Sequence, residues 1–149
     1  MTIRDITACI EEIAPLNYAE GFDNVGLLIG NYTTKVSGVI VTLDTLENVV
    51  DEAIEKKCNL IVSFHPIIFS GLKKLNGKNY VERVVLKAIK NDIAIYAIHT
   101  ALDNSFQGVN AKICEILGLQ NKKIWIPQKN TIKKLTTYAP KDNAEEVRL

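Results

Sequence analysis

Three runs of mostly apolar, β-branched residues, spaced by amphipathic segments, constrain this chain more than any other feature. Residues 39–43 read Val-Ile-Val-Thr-Leu, residues 60–64 read Leu-Ile-Val-Ser-Phe, and residues 93–98 read Ile-Ala-Ile-Tyr-Ala-Ile. None alternates apolar with polar residues as a half-solvated strand does, so each suits a strand covered on both faces. After the first run, Leu46, Val49, Val50, Ala53 and Ile54 recur at helical spacing, with Asn59 as the breaker. After the second, Val81, Val84, Val85 and Ala88 mark the inward face of a helix over residues 80–90. Strand, helix, strand, helix, strand implies right-handed crossovers and a mostly parallel sheet. The expected fold is therefore α/β: a three-layer, sandwich-like domain of successive βαβ units with helices on the sheet faces.

The flanking segments are read in the same way. Thr2 with Asp5 opens a helix whose inward face is Ile3, Ile6, Ile10 and Ile13, and Pro15 ends it. Glycines and the Asp23-Asn24 pair mark turns around a short strand at residues 27–29. Residues 109–117 form another helix, with Gly118 as its cap. Residues 122–134, with Trp125 and Pro127, read as a connector. Residues 135–138 look like a new strand, and Pro140-Lys141-Asp142 opens a helix with Asp142 and Glu145 as cap and partner. The expected organisation is a first α/β domain over 1–121, then a connector and the start of an inserted or second domain over 122–149. The chain is accordingly expected to be the N-terminal part of a longer protein.

Composition narrows the function classes. Apolar residues make up 47% and charged residues 23%, which is a globular and not a disordered balance. A net charge of +1 leaves no electrostatic footprint for nucleic acid, so an anionic ligand needs a local site. No apolar run approaches the roughly 20 residues of a membrane span. Arg4, Asp5, Glu11 and Glu12 interrupt the N-terminal segment, so no secretory signal is read there and a cytoplasmic location is expected. Cys9, Cys58 and Cys114 are odd in number, far apart and form no Cys-x-x-Cys, and are expected to be buried free thiols in a reducing compartment.

In open parallel sheets ligands bind beyond the carboxyl ends of the strands. Asp44 follows the first run, His65 the second and His99 the third, and Asp103 lies in the loop past His99. Neighbouring strands stand about 4.8 Å apart, so side chains from their ends can converge on one ion. Imidazole and carboxylate are ordinary ligands of zinc, manganese and iron, and His65 with Asp103 is the leading pair. Each residue also has a structural reading. Asp44 with Glu47 fits a helix capping box. Asp103-Asn104 fits a turn and cap before the next helix. His99 fits a hydrogen-bonded core histidine. His65 and His99 are the only histidines, and their equivalent positions favour a site.

Other chemistries lack their residues. The stretch from Gly71 to Asn79 has five residues between its glycines and no Ser or Thr after Lys78, so it is a basic surface loop and not a phosphate loop. Ser63, Ser70 and Ser105 sit in no Gly-x-Ser-x-Gly elbow, and no cysteine has a histidine beside it.

Four segments together resemble a known family: Asp23-Asn24-Val25-Gly26-Leu27, Leu43-Asp44, Ser63-Phe64-His65-Pro66-Ile67-Ile68-Phe69 and His99-Thr100-Ala101-Leu102-Asp103-Asn104. They are similar to the Nif-three-like dinuclear-metal-centre proteins, often labelled GTP cyclohydrolase I, type 2. The likeness runs from the first helix to about Leu119, and residues 135–149 resemble the start of the domain inserted in longer bacterial members. The resemblance implies two divalent metals per complete subunit, held by a His-His pair, an aspartate and a later Gly-His-x-x-x-Glu segment. It implies that His65 is the second histidine of the pair, that Asp103 bridges the metals, and that His99 lies near the site, with Asp44 and His99 available to orient a ligand or accept a proton. It also implies toroidal homohexamers. Two departures stand out. Phe64 occupies the place of the first histidine, and no Gly-His-x-x-x-Glu occurs in these 149 residues. With two matched ligands, this chain alone is expected to bind metal weakly or not at all. The function expected from the resemblance is a metal-dependent hydrolase, with GTP as the named substrate. A metal-dependent phosphoesterase and a non-enzymatic binding or interaction scaffold are the alternatives.

Overall fold

The computed structural model describes residues 1–127, 138 and 140–143. Helix α1 (Ile3–Ile13) opens where the capping pattern places it. The Thr2 backbone N–H donates to Asp5 Oδ2 at 2.7 Å, satisfying an amide left without a helical partner. A 3-10 turn, Leu16–Tyr18, follows Pro15. Four strands form one sheet: β1 (Gly26–Ile29), β2 (Val39–Thr42), β3 (Leu60–Ser63) and β4 (Ala94–Ala97). Their order is β1-β4-β3-β2. The β2–β3 and β3–β4 pairs are parallel, whereas β1 runs antiparallel to β4.

The layers follow from side-chain alternation along the strands. Ile61 and Ile95 face helices α2 (Glu47–Glu55) and α3 (Tyr80–Lys90), packing with Val50, Ala53, Val84 and Ala88. Leu60, Val62, Ala94 and Tyr96 point the other way, onto Ile3 of α1. The result is the expected three-layer α/β arrangement. Every residue of β3 is buried, as the two-faced apolar run requires. Burying each such aliphatic side chain contributes about 1.5–3 kcal/mol, so the register of this central strand is strongly held. After β4 come a short helix α4 (His99–Asp103) and α5 (Val109–Ile116). The turn after α5 closes at Gly118 with φ +67°, the left-handed conformation expected of a glycine cap.

Four local expectations are corrected. The cysteines are not buried: Cys9 is exposed, and Cys58 and Cys114 are half-buried. The first run is not covered on both faces: β2 is an edge strand, Val41 is 79% exposed and Leu43 60%. Apolar composition identifies a strand but not its place in the sheet. Asp44 does not cap α2 either. The helix begins at Glu47, Leu46 holds the capping position without a side-chain bond, and Asp44 has a different partner. Asn59 does not stop α2, which has already turned at Lys57 with φ +54°; Asn59 instead clips the loop before β2, through Ser37 N–H and the Lys35 carbonyl. The strand expected at residues 135–138 lies outside the described residues except for Tyr138, which is in no strand. Of the helix expected from Pro140, the described part is one 3-10 turn, Lys141–Asn143.

Candidate functional site

Register places the polar residues at one end of the sheet. Thr42, Ser63 and Ala97 are partners across β2, β3 and β4. Asp44, His65 and His99 each lie two residues beyond them, and the ladder continues that far. His65 N–H donates to the Leu43 carbonyl at 3.0 Å, and His99 N–H donates to the Phe64 carbonyl at 2.9 Å. Because β1 is antiparallel, its amino end meets the carboxyl end of β4, with Gly26 opposite Ala97. The loop before β1 therefore delivers Asp23 to the same edge. Across the sheet the row reads Asp44, His65, His99, Asp23.

The row is bonded in pairs. His65 Nδ1 donates to Asp44 Oδ1 at 2.8 Å, with both side chains about half exposed. His99 Nδ1 donates to Asp23 Oδ1 at 2.9 Å. The Asp23 side chain is fully buried and His99 is one-fifth exposed. Asp23 also accepts from the backbone N–H of Asn24 at 2.7 Å, from the Thr100 N–H at 3.1 Å and from the Thr100 hydroxyl. Burial opposes its ionisation, but the bonds from His99, Thr100 and Asn24 outweigh it and hold the carboxyl below its ordinary pKa. The same bonds fix His99, which opens α4 at φ +22°, an unfavourable conformation for a residue with a side chain.

The two imidazoles are neighbours. Their ring centres are 5.4 Å apart, and the Phe64 ring stands edge-on to both, at 5.0 Å from His65 and 5.4 Å from His99. A carboxylate only accepts, so each Nδ1 carries a proton, and in the neutral form of this tautomer Nε2 is bare. This carboxylate–imidazole pairing is how metal-binding histidines are commonly held.

Asp103 closes α4, one turn past His99, so the two lie on the same side of that short helix. It is not a helix cap; Gly108 takes that role for α5, and the Asp103 carbonyl accepts from Asn110 Nδ2 at 2.9 Å. A cavity of about 640 Å³ opens beside Asp103, lined also by Asn104, Asn110, Lys122 and Trp125. Among the described residues no three His, Cys, Asp or Glu side chains gather as a ligand set. The structure thus joins His65 to Asp44 and His99 to Asp23, and records no contact between His65 and the Asp103 carboxylate. Asp23 was missed as a site residue. Its signal was the Asp23-Asn24 turn before an apolar strand, which reads locally as a turn and nothing more.

A mostly parallel sheet with carboxylate-held imidazoles along its carboxyl edge defines an α/β protein with a polar strand-end site. The model of the Duf34/NIF3 (NGG1p interacting factor 3) family matches residues 1–147, and the chain belongs to that family. It is 42% identical over 143 residues to a GTP cyclohydrolase 1 type 2 homolog of Staphylococcus aureus (strain COL), covering 96% of this chain and 39% of that protein. A protein of the same description from Bacillus subtilis (strain 168) is 41% identical over 146 residues, covering 97% and 39%. The crystal structure of a Bacillus cereus protein related to NIF3 superposes with a TM-score of 0.80 at 40% identity, covering 86% of this chain and 35% of that one. The chain thus spans about two-fifths of the length of these curated relatives. Among the described residues no helix is long and apolar enough to cross a membrane.

Proposed function

We propose that this chain supplies one half of the metal site of a divalent-metal-dependent hydrolase, with GTP as the first substrate to test. The observation that carries the reading is the 2.8 Å bond from His65 Nδ1 to Asp44, which fixes the tautomer that leaves Nε2 free to ligate. The residues fit such a group in kind: an oriented imidazole from His65 and a carboxylate from Asp103. By the family resemblance, the remaining ligands would belong to a Gly-His-x-x-x-Glu segment, which these 149 residues do not contain. Bound there, zinc, manganese or iron would supply a Lewis acid and an activated water. Asp44 holds the His65 ring, Asp23 holds the His99 ring, and the Phe64 ring stands edge-on to both. Relatives named GTP cyclohydrolase 1 type 2 homolog support trying GTP, whose chemistry would be hydrolytic opening of the guanine imidazole ring.

The test is incubation of the metal-loaded protein with GTP, followed by fluorescence of a pterin product. Turnover lost in His65→Ala is expected; equal turnover in that variant refutes the reading. The family's description as an interacting factor favours a second reading, a binding scaffold. Partner capture that survives loss of both His65 and Asp103 would select it.

A further inference from the structure

We propose that the cavity bounded by α4, α5 and residues 122–127 is a nucleotide site, in which the Trp125 indole stacks on the base and Lys122 takes a phosphate. The choice of GTP as its ligand rests on the proposed hydrolase; the site itself rests on its own lining.

At about 640 Å³ the cavity falls within the roughly 300–1,000 Å³ of small-molecule sites. Its walls supply three kinds of contact. The first is an aromatic face. Trp125 lines the cavity and is nonetheless almost wholly exposed, so its ring is open to a planar ligand. The second is positive charge. Lys122 and Lys123 line the cavity against a single carboxylate, Asp103. Neither lysine pairs with a carboxylate among the described residues. Lys122 Nζ instead stands 5.2 Å from the centre of the Phe106 ring. That contact steadies the ammonium without neutralising it. In a chain of net charge +1, this is the kind of local site an anion needs.

The third contact is a pair of acceptors. Asn104 Nδ2 donates to the Tyr18 carbonyl at 2.8 Å and to Glu20 Oε1 at 3.0 Å, and Asn110 Nδ2 donates to the Asp103 carbonyl at 2.9 Å. Those bonds fix which way each amide is turned, and they leave both Oδ1 atoms available to a ligand that donates. A guanine base donates from its amino group, stacks through its flat face and carries its charge on a phosphate outside the ring. It matches all three kinds of wall at once.

The experiment is titration of the chain with GTP in EDTA, following the emission of Trp125, the only tryptophan. EDTA removes divalent ions, so no metal contributes to the binding. Saturable quenching is expected, with weaker binding of guanosine, which lacks the phosphates, and of inorganic triphosphate, which lacks the base. Calorimetry then compares variants. Stacking on an aromatic side chain contributes roughly 5- to 150-fold in affinity per base. Trp125→Ala is therefore expected to lose at least about fivefold, and Trp125→Phe to keep most of the affinity. Lys122→Ala is expected to weaken GTP and leave guanosine unchanged. Both side chains are exposed, so neither substitution disturbs the core. No saturable quenching up to millimolar GTP overturns the inference, as does unchanged affinity in Trp125→Ala. Inorganic triphosphate bound as tightly as GTP overturns it too, because the base then contributes nothing. Pterin formation from GTP that is indifferent to Trp125→Ala overturns this site and leaves the hydrolase standing. Binding in EDTA without turnover in metal keeps this site and refutes the hydrolase.

Discussion

Replacing Asp23 with alanine tests the physical core of the site without any metal or substrate. The carboxylate is fully buried and accepts from His99 Nδ1, Asn24 N–H, Thr100 N–H and the Thr100 hydroxyl. A hydrogen bond to a charged acceptor contributes about 1.5–3 kcal/mol, and these four are not additive because they share one group. Removing the shared acceptor leaves part-buried donors unsatisfied, which costs about 1–3 kcal/mol, and a loss near the upper end is expected here. Total stability for a domain of this size is about 5–15 kcal/mol, so Asp23→Ala gives up a large fraction of it. Urea denaturation followed by far-UV circular dichroism measures the difference; Trp125, the only tryptophan, is 93% exposed and too solvated to report. The effect also has a pH signature. The folded pKa of Asp23 is held below its unfolded value of about 3.9. Its contribution is therefore complete above that value and lost as pH falls through the folded pKa. The gap between wild type and variant narrows on acidification below about pH 4. A loss under about 1 kcal/mol at neutral pH, or a gap that persists in acid, refutes the assignment of Asp23 as the anchor of His99 and α4.

Two further substitutions probe the frame around the site. An alanine Cβ at Gly108 would stand 1.8 Å from the Leu102 carbonyl oxygen, a backbone atom that cannot turn aside. Gly108→Ala is expected to lose about 3 kcal/mol or more and to separate α5 from α4, and an unchanged thermal melt contradicts that packing. The Tyr96 hydroxyl donates to Glu11 Oε1 at 2.9 Å and ties β4 to α1. Tyr96→Phe keeps the ring and loses about 1 kcal/mol in urea denaturation at neutral pH. Burial, then Glu11, raises the phenol's pKa well above its ordinary value. The bond's contribution is thus whole below the unfolded pKa of about 10 and lost above it, so the wild-type advantage should shrink in alkali.

Helix α3 shows how far local signals reach. Asn79 caps it by accepting from Glu82 N–H, its inward residues are Val84, Val85 and Ala88, and both ends fall at Tyr80 and Lys90 as its periodicity predicts. Cap, face and stop all lie within the eleven-residue helix and the residue on either side of it. The burial of β2 was not legible for the opposite reason. Val39 to Leu43 has the composition of a central strand, yet the order β1-β4-β3-β2 leaves it on the edge. What decides this is the choice of neighbours, and a strand's own residues do not encode it. The antiparallel entry of β1 is equally non-local, because the three apolar residues between Gly26 and Gly30 suit either direction.

The site divides along the same line. Asp44, His65 and His99 were legible because a parallel register carries equivalent positions to one edge, and that needs only the strand ends to be known. Their partners were not. Asp44 and Glu47 satisfy a local capping pattern, but the helix starts two residues later and the carboxylate goes to an imidazole 21 residues away. Asp23 lies 76 residues from His99 and reaches it only because β1 runs backwards beside β4. An antiparallel strand added to a parallel sheet brings the loop before it, not the loop after it, to the ligand-binding edge. Here that loop carries the buried carboxylate, so the more tightly held imidazole is anchored by the one strand that breaks the parallel pattern.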